Sequence, residues 1–255
     1  MTDQGDPLAR IADALERLTG AMPAMPDWNA APAYVWDQTG ARPVTQLAAP
    51  TLDLLKGIDA QKALVTANVA RLAAGHAAHD MLLWGARGMG KSALLRASVI
   101  AAQGQDPGTL ALVHVAPDAF AALPRLFGAL GNEARRFLVF IDDLGFADGD
   151  SEGPRALRSW LEGGVDARPA NVRLAVTANR RAIVPRHASE QDDPINPRDA
   201  VDDKLALADR FGLSVGFHAC SQDDYLAIVG GYCASLSSTA SRGLIGSSCS
   251  EAWRG

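Results

Sequence analysis

Gly85-Ala86-Arg87-Gly88-Met89-Gly90-Lys91-Ser92 matches G-x-x-x-x-G-K-[ST], and its flanks decide how it is read. The apolar run Met81-Leu82-Leu83-Trp84 ahead of it has the character of a buried strand. Behind it, Ala93-Leu94-Leu95-Arg96-Ala97-Ser98-Val99-Ile100 has helical periodicity. Strand, glycine loop and helix in that order are the context a phosphate-binding P-loop requires, and they argue against a chance glycine turn ending in Lys-Ser. Glycines at Gly85, Gly88 and Gly90 let the backbone wrap a phosphate with its N–H groups pointing inward. Ala86, Arg87 and Met89 complete the loop, and the helix opening at Gly90 adds its positive dipole end. Lys91 is expected to reach the β- and γ-phosphates and Ser92 to ligate Mg²⁺, so the expected ligand is a nucleoside triphosphate.

Outward from the loop, strand and helix patterns alternate. Strands are expected at 80–84, 111–115, 137–142, 172–177 and 213–217, with helices at 91–103, 117–130, 153–163 and 200–210. A further helical pattern runs from Ile58 to Leu72. Apolar strands alternating with helices predict an α/β fold with a parallel five-stranded sheet covered on both faces, its ligand site at the carboxyl ends of the strands.

Three further groups fall on that edge. The run Phe137-Leu138-Val139-Phe140-Ile141 ends in Asp142-Asp143. A strand ending in acid suits a Walker B element, with Asp142 in the magnesium shell and Asp143 orienting or deprotonating the attacking water. Asn179 closes the fourth strand, which is expected beside the first; it reads either as a group polarising the same water or as a turn former. Arg210 ends a helix before the fifth strand. It reads either as an arginine finger for a neighbouring copy or as a cation placed by the helix dipole.

The order P-loop, Asp-Asp, strand-end Asn and pre-strand Arg resembles the AAA+ ATPases. Several phrases are similar, more narrowly, to the DUF815 family of that class: Gly57-Ile58-Asp59-Ala60-Gln61-Lys62, Leu82-Leu83-Trp84-Gly85-Ala86-Arg87-Gly88, Ala167-Arg168-Pro169-Ala170-Asn171-Val172, Thr177-Ala178-Asn179-Arg180-Arg181 and Asp209-Arg210-Phe211-Gly212-Leu213. This resemblance covers about residues 55–230. It implies an AAA+-type fold, ATP as nucleotide, an oligomeric core, Asn179 as sensor 1, Arg210 as the finger, and Ile58 near the adenine. It implies no particular macromolecular substrate. Two departures stand out. The second acid is Asp143 where AAA+ proteins usually carry Glu. The helical lid is also expected to be incomplete: Ser221–Val229 starts a helix, Gly230-Gly231 interrupts it, and Arg242 has no predicted helix to carry it.

The chain therefore divides, as expected from sequence, into residues 1–50, 51–219 and 220–255. The first holds an amphipathic helix at 7–20 (Leu8, Ile11, Leu15, Leu18) and a Pro/Ala-rich segment; its Trp28, Tyr34 and Trp36 argue that part of it lies on the main domain. The second is the nucleotide-binding core. The third is a partial lid helix followed from Ala234 by a Ser/Gly/Ala-rich tail, expected to be poorly ordered and to look like a truncated or frame-shifted end.

Composition sets the remaining bounds. The 255 residues carry a formal net charge of −5, which gives a nucleic-acid coat no support, although Arg180-Arg181 and Arg186-His187 leave a local backbone contact open. Cys220, Cys233 and Cys249 form no C-x-x-C pair, no apolar stretch is long enough to span a bilayer, and Asp3 and Asp6 are unlike a secretory leader. The expected compartment is the cytoplasm. His76 and His79 read as surface loop residues. The function expected from all of this is an oligomeric, Mg²⁺-dependent ATPase that remodels an unidentified macromolecular partner. An ATP-dependent switch or scaffold with little hydrolysis is the alternative, and a small-molecule kinase the third reading.

Overall fold

The computed structural model describes residues 25–146, 152–162, 168–180 and 207–244, with side chains in the last stretch described through residue 236. The helix expected at 7–20, most of the one expected at 200–210, the basic cluster beyond Arg180 and residues 245–255 lie outside it.

The five expected strands all form: β3 (Met81–Gly85), β4 (Leu110–Val115), β5 (Arg136–Ile141), β6 (Val172–Ala178) and β7 (Leu213–Phe217). Two more precede them, β1 (Ala33–Asp37) and β2 (Gly40–Val44), so the sheet has seven strands where five were expected. Its order is β2-β1-β4-β5-β6-β3-β7, parallel except for the β1–β2 hairpin. As expected, the fourth of the predicted strands, β6, lies directly beside the first, β3. The hairpin is chemically legible. Asp37 Oδ1 accepts from the Thr39 N–H at 2.8 Å and the Gly40 N–H at 3.2 Å, and Gly40 takes φ 141°. Pro43 is tolerated because β2 is an edge strand. The aromatics of this segment are core: Tyr34 and Trp36 are fully buried and Trp28 nearly so.

Helices α1 (Asp59–Ala73) and α2 (Lys91–Gln103) cover one face of the sheet. Helices α3 (Leu123–Leu130) and α4 (Glu152–Glu162) cover the other, with a short 3₁₀ turn at Pro117–Ala122 leading into α3. Each face buries its own apolar layer, Val65, Leu72, Leu94 and Val99 on one side, Leu126, Phe127, Leu157 and Trp160 on the other. The sandwich is tied at the amino ends of the strands by Asp80, 4% exposed. Its carboxylate takes the Arg168 Nε–H at 2.7 and 2.8 Å and the Leu174 N–H at 2.8 Å. His76 and His79 are exposed.

The last helix differs from expectation. Helix α5 (Gln222–Leu244) runs through Gly230-Gly231 without a break and includes Arg242. A helical glycine costs about 1 kcal/mol. Here the apolar residues on either side of the pair continue the hydrogen-bond ladder, and Gly231 faces Leu54 and Lys56.

Candidate nucleotide-binding site

The P-loop lies between the end of β3 and the start of α2. Gly85 takes φ 142°, and a Cβ there would collide with the Phe217 carbonyl oxygen of neighbouring β7. The turn off the sheet thus exists only because this residue has no side chain. Gly85→Ala is expected to destabilise the fold by about 2–4 kcal/mol, from strain at a positive φ plus an overpacked contact. Urea unfolding without nucleotide measures it, and a loss under about 0.5 kcal/mol, the range of a neutral surface change, would show that the strand end can yield. Gly88 and Gly90 hold left-handed φ of 80° and 85°. Lys91 is 8% exposed and donates its Nζ protons to the Gly85 and Ala86 carbonyls at 2.6 and 2.8 Å. Burial pulls its pKa below the ordinary lysine value, against the opposing pull of Asp143 and Asp142.

The acids sit one step beyond β5. Ser92 Oγ donates to Asp142 Oδ1 at 2.7 Å, and Thr177 Oγ1 donates to the same oxygen at 2.5 Å. Thr177 Oγ1 in turn accepts from the Asp143 N–H at 2.8 Å. Asp143 has φ 53°, the one non-glycine residue at positive φ among the described residues. That backbone turn sends its carboxylate back across the strand ends. There Asn179 Nδ2 donates to Oδ1 at 2.6 Å, and the Arg87 guanidinium to Oδ2 at 2.8 Å. Ser92, Asp142, Asp143 and Asn179 thus form one continuous hydrogen-bonded row, and Thr177 and Arg87 belong to it. The sequence carried a signal for Thr177, a hydroxyl on the strand beside the acids, but none for the Arg87 contact.

A hydroxyl and a carboxylate in direct contact at the head of a P-loop are hard oxygen donors, as Mg²⁺ prefers. Among the described residues no three His, Cys, Asp or Glu gather in a cage. Ser92 and Asp142 would therefore hold the ion in company with phosphate and water oxygens, and the bound ion would neutralise charge on those phosphates.

Beside the loop opens a cavity of about 500 Å³. Ile58 and Gln61 line it from the start of α1, Gly88, Met89 and Gly90 from the P-loop, and Asp224, Ile228 and Tyr232 from α5. Gln61 Nε2 donates to the Gly216 carbonyl at 3.0 Å, which fixes the wall against β7. The lid helix, expected to be incomplete, supplies one side of this pocket. Arg210 lies away from the row. Its guanidinium pairs with Glu162 at the end of α4.

A model of the family described as "Protein of unknown function (DUF815)" matches residues 29–252, well beyond half of the chain. The chain belongs to the DUF815 family. The match is wider at both ends than the phrases that carry the resemblance, and it takes in the β1–β2 hairpin and all of α5. No curated protein matches this DUF815 chain. Solved structures similar to it include Thermotoga maritima RuvB, a Holliday junction branch migration motor, at 18% identity and TM-score 0.47, over 75% of this chain and 56% of that one. Aeropyrum pernix Orc1, solved in complex with DNA, is similar at 16% identity and TM-score 0.48, over 70% and 49%. Pyrobaculum aerophilum Cdc6p is similar at 12% identity and TM-score 0.46, over 73% and 51%. The matches thus span about half the length of these proteins.

Proposed function

We propose that this protein is a Mg²⁺-dependent ATPase of the AAA+ type. It works as an assembly of identical copies and spends the free energy of hydrolysis on remodelling a macromolecular partner in the cytoplasm. The observation that carries the reading is the row Ser92–Asp142–Thr177–Asp143–Asn179, with Lys91 held beside it at the P-loop. Phosphoryl transfer to water needs little covalent chemistry from a protein; it needs phosphates fixed, charge neutralised and a water aimed at the γ-phosphorus. Lys91 and the P-loop N–H groups supply the first. Ser92 and Asp142 would hold the ion for the second, and Asp143 with Asn179 would aim the water. The pocket between Ile58, Met89 and α5 is of a size for the base and ribose, and its apolar residues suit a stacked purine. Among the described residues no helix is long and apolar enough to cross a membrane.

A second reading, an ATP-dependent switch with little hydrolysis, has one observation in its favour. Both carboxylate oxygens of Asp143 are already engaged, by Asn179 and by Arg87. ATP turnover per subunit, measured against protein concentration, separates the two. In an assembling ATPase whose Arg210 completes a neighbour's site, turnover per subunit rises with concentration and levels off when assembly is complete. Turnover absent at every concentration, with ATP bound, would establish the switch.

A further inference from the structure

Arg87 occupies a variable position of the P-loop, where the motif asks for no particular side chain. Its guanidinium nevertheless reaches over the loop to Asp143 Oδ2 at 2.8 Å, while Asn179 holds Oδ1 of the same carboxylate at 2.6 Å. The Arg87 side chain is 81% exposed, so packing does not hold it; charge does. Its backbone lies between Gly85 and Gly88, in the stretch that wraps the phosphates, and its head lies over the acid that faces the attacking water. The supply of other cations from this chain is short. Helix α5, which forms a wall of the nucleotide pocket, carries no Lys or Arg from Gln222 to Ser241. Lys91 is committed to the floor of the loop.

We propose that Arg87 is a catalytic residue acting in its own subunit. It parks on Asp143 while the site is empty and transfers to the γ-phosphate when a triphosphate enters, resting on the ATPase reading above. A guanidinium between Asp143 and a γ-phosphate chooses the group with more charge to offer, and the triphosphate brings several oxygens within bidentate reach. Its departure frees Asp143 Oδ2 at the moment a water must be held. In the step that follows, the water oxygen bonds to the γ-phosphorus and the bond from that phosphorus to the β,γ-bridging oxygen breaks. The electron pair of the broken bond stays on ADP. One proton of the water passes to Asp143 and then to solvent, leaving ADP and inorganic phosphate. Arg87 stabilises the charge spread over the γ-phosphoryl oxygens while the two bonds exchange. A ground-state binding residue would show itself in affinity; a residue that acts on charge in transit shows itself in turnover.

The test compares the parent, Arg87→Ala and Arg87→Lys in full-length protein, at a concentration where parent turnover per subunit has levelled off. Arg87→Ala should lower kcat on the order of 10²-fold while the Kd for ATP changes by less than about threefold. Arg87→Lys should fall between, because charge survives without the planar fork. The second readout is affinity for ADP with aluminium fluoride, a mimic of the phosphoryl group in transit. It should drop by at least about tenfold in Arg87→Ala while ADP alone binds as in the parent. If the parent itself does not hydrolyse ATP, the ATPase reading fails and the analogue still judges Arg87. Unchanged kcat and unchanged analogue affinity overturn the proposal. So does an equal loss of ATP, ADP and analogue binding, which would make Arg87 a part of the cradle only.

Discussion

Lys91→Ala weakens ATP binding by about 2–4 kcal/mol, the loss expected for a charge-assisted contact in a site that excludes water. The size follows from where the ammonium already is. Its Nζ rests on the Gly85 and Ala86 carbonyls at 2.6 and 2.8 Å, inside the loop the phosphates enter, and the residue is 8% exposed. On binding, these carbonyl contacts are exchanged for phosphate oxygens that carry full charge, and the lowered pKa is relieved by the anion that arrives. Titration calorimetry of Mg²⁺–ATP into parent and variant measures the difference. A variant that binds ATP within a factor of a few of the parent would show that the loop does not hold a triphosphate.

The largest effect on turnover is expected at Arg210. Arg210→Ala retains ATP affinity and loses turnover on the order of 10³-fold, as when an arginine finger is removed. In its own chain Arg210 pairs with Glu162 at the end of α4, apart from the Ser92–Asn179 row. A role in catalysis therefore requires a second copy to present its site to this edge. Mixing Arg210→Ala with Lys91→Ala makes that geometry testable: the first offers an intact nucleotide site, the second an intact finger. Recovery of part of the parent turnover in the mixture supports action in trans. Turnover that stays at the level of the separate variants, while the copies assemble, removes it.

Legibility differs by element. The strands β3 to β7 and helices α1 and α2 can be placed to within a residue or two, because their apolar runs and periodicity are properties of short contiguous stretches. The β1–β2 hairpin cannot. Pro32, Pro43 and the Ala-rich surroundings read as irregular, and what makes β1 a strand is pairing with β4, far along the chain. Helix α5 reads as ending at Gly230-Gly231 because propensity counts against glycine locally, whereas contact with the Leu54–Lys56 turn is not a local property.

The same division runs through the candidate site. The P-loop, the Asp142-Asp143 pair at a strand end and the Asn at the end of a neighbouring strand are all readable from the chain alone, since each is a short pattern whose chemistry follows from residue type and spacing. Folding was needed to show that Thr177 bridges the two acids, that Arg87 leaves its loop for Asp143, and that α5 walls the pocket. Those contacts join residues distant in the chain through the order of the strands and the left-handed turn at Asp143. Periodicity records which face of an element is buried; it holds no record of which distant side chain will stand opposite.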